Sequence, residues 1–220
     1  MDHSRRIKHS FPAIKFVGHI TTACYKSSPT KKVVIPIRRI LPELAGYAGF
    51  GLGYIVYLTF LSALMTAQAS SSNFISLTWG LLGSSICLSP FIWRGILARH
   101  SSGRPLAMIL SCISIGSAFP VIFPGDSSFI FSAIIFGLSV FMAPGAIKSF
   151  TRQNLPPERW GGTISLFTVI FAISQTLGPF AAGLIGDLTG NIGVSLVVPA
   201  GLLMLGALVT SRQKSLHSDQ

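Results

Sequence analysis

Six apolar runs recur along the chain, over residues 44–67, 74–93, 105–123, 127–147, 162–186 and 192–210. Each approaches or exceeds the roughly 20 apolar residues a helix needs to cross a hydrocarbon layer ~30 Å thick. Polar stretches punctuate them, such as 68–73 and the turn Pro124-Gly125-Asp126. The pattern predicts an all-α fold, a polytopic membrane bundle of six transmembrane helices. Residues 1–42 form a basic N-terminal segment, 43–211 the transmembrane domain and 212–220 a polar tail.

Charge tests this division independently. Outside residues 1–42, the basic residues are Arg94, Arg99 and Arg104 between spans two and three, Lys148, Arg152 and Arg159 between four and five, and Arg212 and Lys214 after six. With both termini cytoplasmic, every Lys and Arg falls on that side. The opposite loops carry Asp126 and Asp187 and no cation, which is the positive-inside asymmetry. The expected location is the plasma (bacterial inner) membrane.

Composition narrows the function classes. Only 10% of residues are charged and 50% are hydrophobic, too little polar surface for a water-soluble domain. The net charge of +11 suggests a nucleic-acid binder, but its cations sit in a leader, two loops and a tail, with no basic face interleaved with stacking aromatics. Cys24, Cys87 and Cys112 are too scattered for a disulfide framework or zinc spacing, and no histidine lies inside an apolar run. No cofactor and no metal is expected. The spans lack the Ser/His, paired-carboxylate or metal-ligand sets of catalysis, so the chain is not read as an enzyme. The acid-poor leader fits an organelle transit peptide or, as the plainer reading, a cytoplasmic tail at an anionic membrane surface.

Two loops echo one another. Gly95-Ile96-Leu97-Ala98-Arg99-His100-Ser101-Ser102-Gly103-Arg104 follows the second span, and Gly183-Leu184-Ile185-Gly186-Asp187-Leu188-Thr189-Gly190 closes the fifth. Glycines let helix ends approach and turn sharply, while a charge can meet a helix terminus. Each copy follows the second helix of a three-helix set, which suggests a three-plus-three internal repeat. The loop at Gly95–Arg104, the Gly178-Pro179 step with Gly183, and Leu155-Pro156-Pro157 with Arg159, Trp160 and Gly161 resemble the major facilitator superfamily. Phe50-Gly51-Leu52-Gly53-Tyr54-Ile55 with Thr59-Phe60, and Gln175-Thr176-Leu177-Gly178-Pro179, are similar more particularly to its YbfB/YjiJ-type branch. Arg99 stands where the family's loop motif usually has an acid. The resemblance covers residues 43–211 and none of 1–42. It implies helices seven to twelve of a twelve-helix transporter, a 3+3 inverted repeat, gating at Gly95, Arg99, Gly103, Arg104 and Asp187, and a second six-helix half from this or another chain.

In such transporters the substrate site is expected near the bilayer midplane between the halves. Polar and aromatic groups deep in the spans are the candidates, since a polar group facing lipid is costly. Tyr54 and Tyr57 lie one turn apart with Thr59 near the same depth; Thr168, Phe171 and Gln175 form a stripe on the fifth span. These six are the expected substrate-binding residues. An interhelical hydrogen bond, worth about 0.6–2 kcal/mol, explains Gln175 equally well. Tyr47 and Trp79 read as packing. Gly46, Gly49, Gly51 and Gly53 read as close helix packing rather than a nucleotide loop, and Pro144-Gly145 and Gly178-Pro179 as kinks or hinges. No acid lies inside a span. Glu43, at the mouth of the first, is the proton-coupling candidate, with a helix-dipole partner as the plainer reading.

The function expected is secondary active transport of a small organic solute by alternating access, with or without proton coupling. The alternative is a truncated or degenerate non-transporting membrane protein, or a partner subunit.

Overall fold

The computed structural model describes residues 37–190 and 192–216, so most of the basic N-terminal segment lies outside the described residues. Seven α-helices follow in order: α1 (Ile37–Ala67), α2 (Ser72–Arg99), α3 (Arg104–Ile122), α4 (Asp126–Val140), α5 (Ala143–Asn154), α6 (Pro157–Thr189) and α7 (Ile192–Ser211). The described residues contain no strand. Among the described residues six spans are long and apolar enough to cross a membrane, α4 and α5 together making the fourth. The fourth span breaks at Phe141–Met142, immediately before the Pro144-Gly145 step expected to interrupt it. At Gly178-Pro179 no such break occurs, because α6 runs unbroken from Pro157 to Thr189. Pro179 nonetheless has no amide hydrogen to offer the Gln175 carbonyl one turn earlier.

The helices outrun the apolar runs. α1 begins at Ile37 rather than 44 and contains Arg38, Arg39, Pro42 and Glu43; α2 extends to Arg99; the fourth span reaches Asn154. A hydropathy window marks only the part of a helix that suits hydrocarbon, whereas backbone hydrogen bonding continues through charged residues beyond it. The ends are marked locally. The Ser71 side chain accepts from the Phe74 amide at 3.3 Å as the N-cap of α2. Pro157 opens α6, and Gly190 closes it at φ 65°, a left-handed conformation that favours glycine.

α1 is the centre of the packing, lying along α7 and α6, while α3 packs along α7 and α4, and α2 along α4. Lipid supplies little hydrophobic drive between helices, so close backbone approach has to do that work. The glycine run of α1 provides it. A Cβ on Gly46 clashes with the Thr210 side chain, one on Gly53 meets Leu203 at 2.5 Å, and Gly49 faces the Leu202 carbonyl at 3.5 Å, so the run packs on α7. Gly51 points the other way, where a Cβ would lie 2.8 Å from Ser174 Cβ and 3.0 Å from the Phe171 carbonyl of α6.

Every Lys and Arg among the described residues lies at the end of the bundle where α1 starts and α7 stops. Asp126 and Asp187 lie at the opposite end.

Candidate functional site

The α1–α6 seam sets the geometry of the candidate site. Gly178 of α6 rests on the Leu52 backbone so closely that a Cβ would clash with the carbonyl oxygen, and Gly51 answers it from α1. At this separation side chains from the two helices meet directly. The Tyr54 hydroxyl donates to Gln175 Oε1 at 2.9 Å. The Gln175 amide nitrogen, with two N–H donors, has no protein acceptor among the described residues. One turn before it, Phe171 stacks on Tyr54 (centroids 5.6 Å, interplanar 23°), Phe50 (5.6 Å, 19°) and Tyr47 (5.4 Å, 28°), and Phe50 stacks on Tyr54 at 4.6 Å. Tyr54, Phe171 and Gln175, three of the six expected substrate-binding residues, therefore share one place. Tyr47 is buried packing in this stack, and Trp79 donates to Ser62 Oγ at 2.9 Å across the α1–α2 contact.

The other three lie elsewhere. Tyr57 is fully buried, stacks on Phe136 at 4.1 Å, and its hydroxyl meets Ser132 Oγ at 2.6 Å. Ser132 donates its own hydrogen to the Gly116 carbonyl, so Tyr57 is the donor, and the chain of bonds ties α1 to α4 and α3. Three residues fall ~60° short of a full turn, enough to aim Tyr57 away from Gln175 although it follows Tyr54 closely. Thr59 and Thr168 are exposed and donate to the carbonyls of their own helices, Ile55 at 2.8 Å and Ile164 at 2.9 Å.

The expected gating residues separate in the same way. Gly103 is clamped: its amide donates to the Gln213 carbonyl at 3.1 Å, and a Cβ would clash with the Thr210 carbonyl and lie 2.7 Å from Glu43 Oε2. Gly95 and Gly183 have open space around them, so no close approach depends on them. Arg99 sits exposed in the last turn of α2, where a cation suits the helix dipole. Arg104 is exposed at the start of α3, and its amide donates to Ser102 Oγ at 3.4 Å. Asp187 is exposed in the last turns of α6, where its sign is unfavourable.

Glu43 is 1% exposed, and its Oε2 has no hydrogen-bond partner among the described residues. The helix-dipole reading placed it at a helix start. Because α1 begins at Ile37, Glu43 lies nearly two turns inside, and the first turn holds no acid. Dipole effects fade beyond the first turn, so that account does not explain this carboxyl.

Sequence reasoning missed the strap at the basic end. Asn154, buried at the end of α5, donates to the Ser101 carbonyl at 2.6 Å and the Phe150 carbonyl at 2.9 Å, while its Oδ1 accepts from the Leu216 amide at 2.7 Å and the Ser215 hydroxyl at 3.3 Å. Gln213, also buried, donates to the carbonyls of Arg39 at 3.0 Å and Lys214 at 2.9 Å. Residues 212–216 are thus laid across the ends of α1, α3 and α5 instead of leaving the bundle as a free tail. The one available signal was a pair of amide side chains at helix ends, Asn154 as the last residue of α5 and Gln213 just beyond α7.

A sequence model of the family described as "Uncharacterised MFS-type transporter YbfB" matches residues 14–211. Its start at residue 14 corrects the expectation that none of 1–42 shares the resemblance. No curated protein and no solved structure matches the chain.

Proposed function

The chain belongs to the YbfB-type family of major facilitator transporters, and from that premise we propose secondary active transport of a small organic solute by alternating access. In this reading the six spans act as the C-terminal half of the transport fold, arranged as a 3+3 inverted repeat. A second six-helix half, from another copy or another chain, supplies the facing wall. The protein sits in the bacterial inner membrane with both termini cytoplasmic, consistent with the single basic end.

The observation that carries the proposal is the hydrogen bond from Tyr54 to Gln175 beside the Phe171 ring stack. A half-buried amide already held by a tyrosine, with its N–H donors left over, suits an acceptor atom on a solute, and the rings suit a flat apolar part of the same molecule. The pair carries no formal charge, which favours neutral or zwitterionic solutes. Proton coupling, where it operates, is assigned to Glu43, the one acid among the described residues that is buried in a span.

The test is uptake by cells expressing the chain, measured over a panel of labelled neutral and zwitterionic solutes, with Gln175→Ala as the variant. Uptake of the transported solute falls at least tenfold while membrane insertion is unchanged, since a site built around a hydrogen bond loses far more than one methylene's worth of affinity. Unchanged uptake removes Gln175 from the site and leaves it as an interhelical bond.

A further inference from the structure

A second site lies at the basic end, away from the Tyr54–Gln175 pair. A cleft of about 230 Å³ opens between the start of α1 and the residues after α7, and four of its lining side chains are cations: Arg38, Arg39, Arg212 and Lys214. All four are exposed, and no ion pair joins any of them to an acid among the described residues. The nearest acid along α1, Glu43, is buried with Oε2 turned towards Gly103. The cations are therefore not neutralised by any carboxylate of the described residues.

Their proximity is built by other interactions. Gly46, Gly49 and Gly53 hold α1 against α7, and the Gln213 amide, which also lines the cleft, ties the Arg39 carbonyl to the Lys214 carbonyl across it. Four like charges held together by neutral hydrogen bonds repel one another, and an anion in the cleft relieves that repulsion. Arginine forks match the oxygens of a phosphate group in bidentate geometry, and lysine adds a point charge. The cleft's volume is several times the ~30 Å³ that a water takes up in the liquid, so a tetrahedral phosphate enters with room for the group that carries it. Its walls are the ends of two membrane spans, the level at which lipid headgroups lie.

We propose that the Arg38–Arg39–Arg212–Lys214 cleft binds a phosphate group, as the diester of an anionic phospholipid or as a free phosphate. Each cation near such a group contributes about a fivefold change in binding, so removing two weakens it on the order of 25-fold.

The experiment is native mass spectrometry of the full chain in detergent with equal amounts of phosphatidylglycerol and phosphatidylcholine, with and without millimolar inorganic phosphate. The wild-type chain retains phosphatidylglycerol over phosphatidylcholine, and the R39Q/R212Q chain loses that preference about 25-fold. A control chain, K148Q/R159Q, removes two cations from the same end but outside the cleft and keeps the preference. Displacement of the lipid by inorganic phosphate identifies free phosphate as the ligand source, and resistance to it identifies the headgroup; both support the site. Equal retention of the two lipids by wild type, an unchanged preference in R39Q/R212Q, or an equal loss in K148Q/R159Q overturns it.

Discussion

Replacing Gly178 with alanine tests the α1–α6 seam at its tightest point. A Cβ there overlaps the Leu52 carbonyl oxygen and lies 3.1 and 3.2 Å from the Leu52 C and Cα atoms, all of them backbone. No rotamer change can relieve the clash, so the two helices must move apart. Overpacking of this kind costs about 1–3 kcal/mol. Against it stands the gain of about 0.5–1 kcal/mol that alanine brings over glycine in a helix interior. The matched control is Gly183→Ala, on the same helix with nothing within 4 Å of the added methyl, where only the propensity gain applies. Both chains are unfolded by titrating SDS into mixed micelles, with helicity followed by circular dichroism. Gly183→Ala is neutral to slightly stabilised, and Gly178→Ala falls below it by the packing term of about 1–3 kcal/mol, roughly a fivefold to 150-fold change in the folded-to-unfolded ratio. Equal shifts in the two variants would refute the idea that backbone contact at Gly178 holds the seam.

Two further predictions separate structure from transport. Tyr57→Phe removes the donor to Ser132 in a buried network and lowers stability by about 1 kcal/mol in the same titration, while solute uptake by the folded protein stays at the wild-type level; a selective loss of uptake would return Tyr57 to the site. Glu43→Gln keeps the size of the side chain but removes its exchangeable carboxyl proton, so uptake that rises with an imposed proton gradient in the wild type becomes insensitive to it; retained pH dependence would exclude Glu43 as the coupling group.

The six spans were legible because hydrocarbon thickness imposes a length on apolar runs, and the one-sided distribution of Lys and Arg agreed with the count. The helix ends were less legible. Arg38, Arg39 and Glu43 lower a hydropathy average without ending a helix, so α1 starts seven residues earlier than its apolar run, and the environment of Glu43 changes with it. The Tyr54, Phe171 and Gln175 grouping followed from helical spacing within each span, although which spans face one another was not available from spacing. Tyr57 shows the limit of that approach: a face one turn long spans enough angle for its two ends to serve different neighbours. Asn154 and Gln213 were invisible as a strap because their partners are backbone carbonyls and amides, which leave no trace in residue identity.

The seam between α1 and α7 also dictates an order of events during synthesis. The glycine face of α1 is completed by Gly206 and Thr210, about 160 residues downstream, and further contacts of the strap are made by Ser215 and Leu216. α1 thus waits, with its small-residue face towards lipid or passing helices, until α7 has been inserted. A ribosome that stalls before α7 leaves α1 and α3 without the helix that both pack along. Quality control that recognises unpaired helices would read every such product as incomplete.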